Sequence, residues 1–195
     1  MNVPSLRYIT QAGGKLGQEL HTLFADICEK KGIEIIVMYG QTEATARMSY
    51  LPWNISKEKA GSIGIAIPGG VFSLIDVDDK EITEANVVGE LVYHGENVTM
   101  GYATSGYDLD KPDERAGVLK TGDMAYRDGD GFYYIAGRKK RFLKIYGNRL
   151  NLDEVDGMMQ KAGYEAVASG TDNHVQIYSV DKRGQEIIDF LVKQT

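Results

Sequence analysis

Cysteine is nearly absent: Cys28 is the one thiol in 195 residues. A lone cysteine forms no internal disulfide and no metal cluster by itself, so it reads as a small apolar core residue in a reducing compartment. Histidine is scarce too. His21, His94 and His174 are scattered, with no two at metal-ligand spacing. His21 reads as a surface position on the first helix, and the other two carry no assigned role. No apolar run approaches the ~20 residues of a membrane helix. The opening stretch MNVPSLRYITQAGG has no signal-peptide core. A cytoplasmic protein is therefore expected. Positive charge is outnumbered, 22 Lys and Arg against 28 Asp and Glu, for a net charge of −6. That argues against general nucleic-acid binding, which depends on clustered cations, but allows a local basic site for one nucleotide. No Gly-x-Ser-x-Gly nucleophile elbow is present.

What the chain does contain changes texture twice. Leu6–Thr10 reads as a strand running into Gly13-Gly14. Leu16, Leu20, Leu23, Phe24, Ile27 and Cys28 recur at helical spacing and share one face, with Lys30, Lys31 and Gly32 suited to the helix end. Ile33–Met38 is a second, apolar strand, so residues 1–60 suggest a βαβ unit with a parallel sheet. From Gly61 to Gly137 short strands alternate with Gly and Asp turns: Val71–Val77, Gly89–His94 and Gly131–Ile135. Residues 103–117 read as a polar surface loop. Beyond them, residues 138–195 read as a small α+β unit: a helix near 153–161, strands near 164–168 and 174–180, and an amphipathic helix near 184–193. The expected fold class is α/β with a β-rich subdomain and a small α+β C-terminal domain.

Several stretches suit nucleotide chemistry, and each also has a plainer reading. In open α/β sheets ligands gather at the carboxyl ends of strands, where Tyr39-Gly40-Gln41-Thr42-Glu43 lies. The Tyr39 ring offers a face for a base, Thr42 a hydroxyl for a phosphate, and Glu43 a hard oxygen for magnesium. The same residues also suit a turn and a helix start. Gly13-Gly14 permits close approach to a ligand, or is a plain turn. Asp123, in Lys120-Thr121-Gly122-Asp123 before a possible strand, suits ribose hydroxyls or its own backbone. The basic run Gly137–Lys144 is a solvated face, or a junction able to close over a polyanion.

The order of these stretches is more specific than any one of them. Gly13-Gly14-Lys15-Leu16, then Tyr39–Glu43, Gly89-Glu90-Leu91, Gly95, Gly101-Tyr102, Lys120–Asp123, Gly137-Arg138 and Gly147-Asn148-Arg149-Leu150, with Glu154 after it, succeed one another. That succession resembles the adenylate-forming superfamily of acyl- and aryl-CoA synthetases, peptide-synthetase adenylation domains and luciferases. The stretch GRKKRFLKIYGNRLNLDEVD looks most like an AMP-forming acyl-CoA synthetase.

The resemblance implies ATP or AMP, Mg2+ and coenzyme A as cofactors, with a carboxylic acid as substrate. It implies that Tyr39 stacks on adenine, with Gly13 and Gly14 lining that pocket. Thr42 would bond the α-phosphate, Glu43 hold magnesium, Asp123 take the ribose hydroxyls and Arg138 reach ribose or phosphate. Lys140 would be the hinge of the small domain, and Gly147 would lie near the thiol's approach. Lys15 stands where the family often has a small residue.

The family's phosphate loop is expected upstream of Gly13, and its C-terminal lysine beyond Thr195. Ser169-Gly170-Thr171 mimics only part of the loop. The chain alone is therefore expected to be inactive, and to pair with a missing N-terminal half or self-associate. Two alternatives stand beside this: a non-catalytic nucleotide-binding module or half of a split enzyme, and a peptide-synthetase-type unit loading a carrier protein.

Overall fold

The computed structural model describes residues 4–180 and 183–193. It divides into two compact units, 1–136 and 137–195.

The first unit opens with the parallel pair that the sequence suggests. Strand β1 (Tyr8–Gln11) lies beside β2 (Glu34–Tyr39), with Gln11 opposite Val37. Helix α1 (Gln18–Lys31) crosses between them and ends at Gly32, whose left-handed conformation (φ 62°) lets its N–H bond the last carbonyls. Short strands β3 (Ser49–Tyr50) and β4 (Ile65–Ala66) extend the sheet in the order β1-β2-β3-β4. A second sheet runs in the order β5-β6-β7-β8 through β5 (Val71–Ile75), β6 (Gly89–His94), β7 (Val118–Arg127) and β8 (Tyr133–Arg138). The unit boundary falls within β8.

β6 is the spine of this unit. Gly89 to Tyr93 are all buried. Leu91 and Tyr93 pack with Phe72, Leu74, Leu119 and Tyr133 in the main core. The Phe72 ring meets Tyr93 at 5.4 Å and Tyr133 at 5.1 Å between centroids, and Tyr39 lies at 6.4 Å on its margin. Tyr39 is thus tied to the core on one side and to the strand end on the other.

The structure departs from the sequence expectation at three places. Leu20, Leu23, Phe24 and Ile27 do share a side of α1, but they are exposed; the buried face is His21, Ala25 and Cys28. Small residues let the helix sit close on Ile33 and Ile35, where the long ones would hold it off. Cys28 is buried there, as the sequence suggests.

His21 is not a surface residue. It is fully buried because both ring nitrogens find partners. The Gly61 N–H donates to Nδ1 at 3.0 Å, so Nε2 carries the proton and donates to Ser56 Oγ at 2.8 Å. Burial holds its pKa below the ordinary value.

Lys120–Asp123 does not precede a strand but lies inside β7. Pairing jumps from Glu90–Met124 to Val92–Lys120, so Thr121, Gly122 and Asp123 bulge opposite Leu91 alone. Gly122, at φ 70°, supplies the backbone turn. The loop at 103–117 also holds a short 3-10 turn, Gly106–Asp110, closed by a capping box of Ser105 and Asp108.

The second unit is smaller. A hairpin of β9 (Phe142–Ile145) and β10 (Asn148–Asn151) leads into α2 (Leu152–Lys161), capped by the Asn151 side chain. The pair β11 (Ala166–Thr171) and β12 (His174–Ser179) and helix α3 (Gly184–Val192) follow. Leu143, Leu152, Val155, Met159, Ala168 and Ile187 form its core.

Candidate functional site

Because β1 and β2 are parallel, their carboxyl ends fall on one edge. Gly13-Gly14 and Tyr39-Gly40 leave the sheet there. Gly13 is at φ 91°, and a Cβ at Gly13 or Gly14 would meet nothing within 4 Å. Gln11 closes this loop by donating to the Gly14 carbonyl at 2.8 Å. Gly40 is the opposite case. A Cβ there would lie 2.4 Å from the Ala46 carbonyl oxygen, because the chain folds straight back on itself. Thr42–Ala44 forms a 3-10 turn, followed by left-handed Thr45 and Ala46. Thr42 is exposed and Glu43 half-buried at this turn.

The bulge in β7 brings Asp123 to the same strand end. Asp123 is buried, at 3% exposure. The Tyr39 hydroxyl donates to its Oδ2 at 2.6 Å, and Gln41 Nε2 donates to the same oxygen at 3.0 Å and to the Thr121 carbonyl at 2.9 Å. Thr121 is held in turn by its hydroxyl bond to the Leu91 carbonyl, 2.8 Å, and accepts from the Asp123 N–H at 3.1 Å. A buried carboxylate is thus supported by hydrogen bonds from two neighbouring residues, as burial requires. Tyr39 and Asp123 therefore meet at the carboxyl end of β2, with Glu43 on the turn that follows, and Gly13 and Gly14 leave the adjacent strand β1 at the same edge.

Gln41 has no role in the sequence reading, although its signal is visible. It stands two residues after Tyr39 in extended chain, so both side chains point the same way. Asn97, Thr99, Tyr102 and Arg115 also surround the turn, and the polar loop that carries Arg115 gives no periodic signal for it.

The remaining candidates belong to the second unit. Arg138 ends β8 and is exposed, with its N–H directed at Asp153 Oδ2 at 3.4 Å. Lys140 is exposed in the 3-10 turn Lys139–Arg141. Gly147 lies at φ 90° in the β9–β10 turn, with open space where a Cβ would be. Arg141 is built into the unit: it binds Asp153 at 2.7 Å, Asp156 and the Ala168 carbonyl at 2.9 Å.

No group of three or more His, Cys, Asp or Glu able to hold a metal occurs among the described residues. Magnesium is also commonly held by one or two carboxylates together with substrate phosphates, and Glu43 on its turn is the carboxylate here that could hold it in that way. No helix among the described residues is long and apolar enough to cross a membrane.

The pattern of AMP-binding enzymes matches residues 1–103. The chain belongs to that family. As a member of the adenylate-forming superfamily, it is 31% identical to a sulfoacetate–CoA ligase of Cupriavidus necator over 96% of its own length and 35% of that protein. It is 30% identical to an oxalate–CoA ligase of Saccharomyces cerevisiae, over 97% of this chain and 36% of that one. The chain thus spans about a third of the length of these curated relatives. Among solved structures it resembles an O-succinylbenzoate coenzyme A synthetase from Bacillus subtilis in complex with ATP and magnesium ion. That match has a TM-score of 0.68 and 26% identity, over 88% of this chain and 35% of that one. The fold is also that of a McyG A-PCP protein complexed with phenylalanyl-adenylate, with a TM-score of 0.64 and 22% identity over 97% of this chain and 33% of that one.

Proposed function

We propose that this chain carries the nucleotide-facing wall of an AMP-forming acyl-CoA synthetase. The observation that carries the reading is the convergence of Tyr39 and Gln41 on the buried Asp123 carboxylate beside the Thr42–Glu43 turn. In this reading Tyr39 presents its ring to adenine, with its hydroxyl anchored on Asp123, and Gly13 and Gly14 line the same pocket. Asp123 accepts from the ribose hydroxyls. Thr42 donates to the α-phosphate, and Arg138 brings positive charge to ribose or phosphate.

A carboxylate oxygen of the acid attacks the α-phosphorus of ATP and pyrophosphate leaves. The thiol of coenzyme A then attacks the acyl carbon, AMP leaves and the thiol proton is released. Lys140 is the pivot and Gly147 lies on the thiol's path. Such transfers rest on positioning and charge neutralisation, so no protein nucleophile is needed. Magnesium held by Glu43 and the phosphates would neutralise charge at the leaving group.

Turnover is assigned to the whole protein, since this chain spans about a third of its relatives. Removing one transition-state charge stabiliser costs roughly 3–4 kcal/mol. The 195-residue chain alone is therefore expected to give no ATP–pyrophosphate exchange above a Glu43→Ala control.

Calorimetry with AMP tests the site itself. The chain is expected to bind AMP, and Asp123→Ala to weaken binding at least about tenfold, the loss of a charged hydrogen bond. Equal affinity in the two would end the reading. Loading of a carrier protein is the second reading, favoured by the fold shared with the McyG A-PCP protein. Acyl transfer by the whole protein to coenzyme A, against transfer to a carrier serine-linked thiol, separates the two.

A further inference from the structure

The Glu43 turn is enclosed by residues from a segment far along the chain. The Thr99 N–H donates to the Glu43 carbonyl at 2.8 Å. Asn97 Nδ2 donates to the Ala44 carbonyl at 2.8 Å and to the Arg47 carbonyl at 3.1 Å. These bonds fix the backbone. The Glu43 side chain is fixed separately, because the Tyr102 hydroxyl donates to its Oε1.

Tyr102 is itself held. The Arg115 guanidinium lies over the Tyr102 ring, 4.6 Å from its centroid, and donates to Thr99 Oγ1. Arg115 is set by its own turn, where its N–H bonds Asp113 Oδ1 at 2.9 Å and the preceding Glu114 N–H bonds the Met100 carbonyl at 2.8 Å. The contacts form a closed circuit: Glu43 to Thr99, Thr99 to Arg115, Arg115 to Tyr102, and Tyr102 back to Glu43.

We infer that Tyr102 and Arg115 are positioning residues that orient the Glu43 carboxylate toward a divalent cation, an inference that rests on the proposed role of Glu43. A half-buried glutamate on a turn otherwise samples several rotamers, and fixing it on binding costs entropy. One phenol donor occupies one of the roughly four acceptor positions of a carboxylate and sets its plane, so coordination by the carboxylate remains open. Hydrogen-bonded partners of this kind orient metal-ligating carboxylates. A cation over the ring face stabilises the arrangement and sets the angle of the ring. Consistent with this geometry, the bond to Glu43 holds the Tyr102 phenol above the ordinary tyrosine pKa.

The test uses the 195-residue chain with ATP, and Mn2+ as the probe, read by electron paramagnetic resonance. Metal-free AMP calorimetry and thermal unfolding run beside it. Tyr102→Phe keeps the ring and removes only the donor. It is expected to weaken Mn2+ binding in the ATP complex about 10- to 100-fold, while AMP affinity and unfolding temperature stay at wild-type values. Arg115→Gln is expected to weaken Mn2+ binding less. Glu43→Gln removes the metal increment altogether. Wild-type Mn2+ affinity in Tyr102→Phe overturns the positioning role and leaves the Glu43 reading intact. A wild-type chain that binds AMP but shows no gain of Mn2+ binding with ATP overturns both. Parallel loss of AMP affinity and unfolding temperature in Tyr102→Phe marks a merely structural contact and also overturns the inference.

Discussion

The two units use polar residues in different ways. In the first, the polar residues of the site meet side chain to side chain across long sequence separations: Tyr39 reaches Asp123 and Tyr102 reaches Glu43. Buried strands stand behind them, so the site is an extension of the core. In the second, the basic run lies on a short turn, and Arg141 is built into the unit through Asp153, Asp156 and Ala168 while Lys140 faces solvent. A site backed by packing is rigid and sensitive to any change of volume. A charged turn tolerates substitution and can serve as a pivot.

The largest expected effect tests the packed side of this contrast. Gly40→Ala forces a Cβ onto the backbone of Ala46 and Arg47, at 2.4 to 2.9 Å. Overpacking of this kind costs typically about 1–3 kcal/mol, occasionally more. Urea unfolding followed by Trp53 fluorescence, a reporter within the first unit, should show the loss, and AMP binding should fall with it. Wild-type stability in Gly40→Ala would mean that this turn is as tolerant as the basic one.

A second substitution sharpens the other side. Arg141→Ala strips two carboxylates and a carbonyl of their partner, and hydrogen bonds to charged groups are worth about 1.5–3 kcal/mol. Hydrogen exchange should accelerate in α2 and β11 and leave β6 unchanged. Lys140→Ala, one residue earlier, should stay within about 0.5 kcal/mol, as an exposed surface change does. If both variants behaved alike, the division of the basic run into an anchor and a solvent-facing residue would be wrong.

The smallest effect is a pH dependence confined to the first unit. Burial lowers the folded pKa of His21 below its ordinary value of 6.5. Between the folded value and about 6.5 the unfolded chain binds more protons, so stability rises with pH. The contribution of His21 is full above that window and is lost as pH falls through it. Trp53-monitored unfolding at about pH 7.5 and about pH 5, above and below the ordinary histidine value, should show a drop that His21→Asn reduces. An unchanged drop in the variant would place the titrating group elsewhere.

Much of this architecture is legible in local pattern. The helix end at Gly32, the apolar run into Tyr39 and the hairpins of the β-rich part all follow from chemistry within a few residues. So does the order of motifs that led to the superfamily, since it is a property of the chain itself. Periodicity alone misplaced the buried face of α1: it finds the side rich in leucine, whereas the sheet accepted the side with small residues and a histidine whose two nitrogens were both satisfied.

The sequence by itself determined the strands, their turns and the residue types at each strand end. Only the tertiary structure decided that Asp123, 84 residues from Tyr39, accepts its hydroxyl, and that Tyr102 and Arg115 enclose Glu43. The physical reason is register. A bulge opposite Leu91 sets where β7 delivers Asp123, and pairing between distant segments is a sum over many contacts that no local window contains.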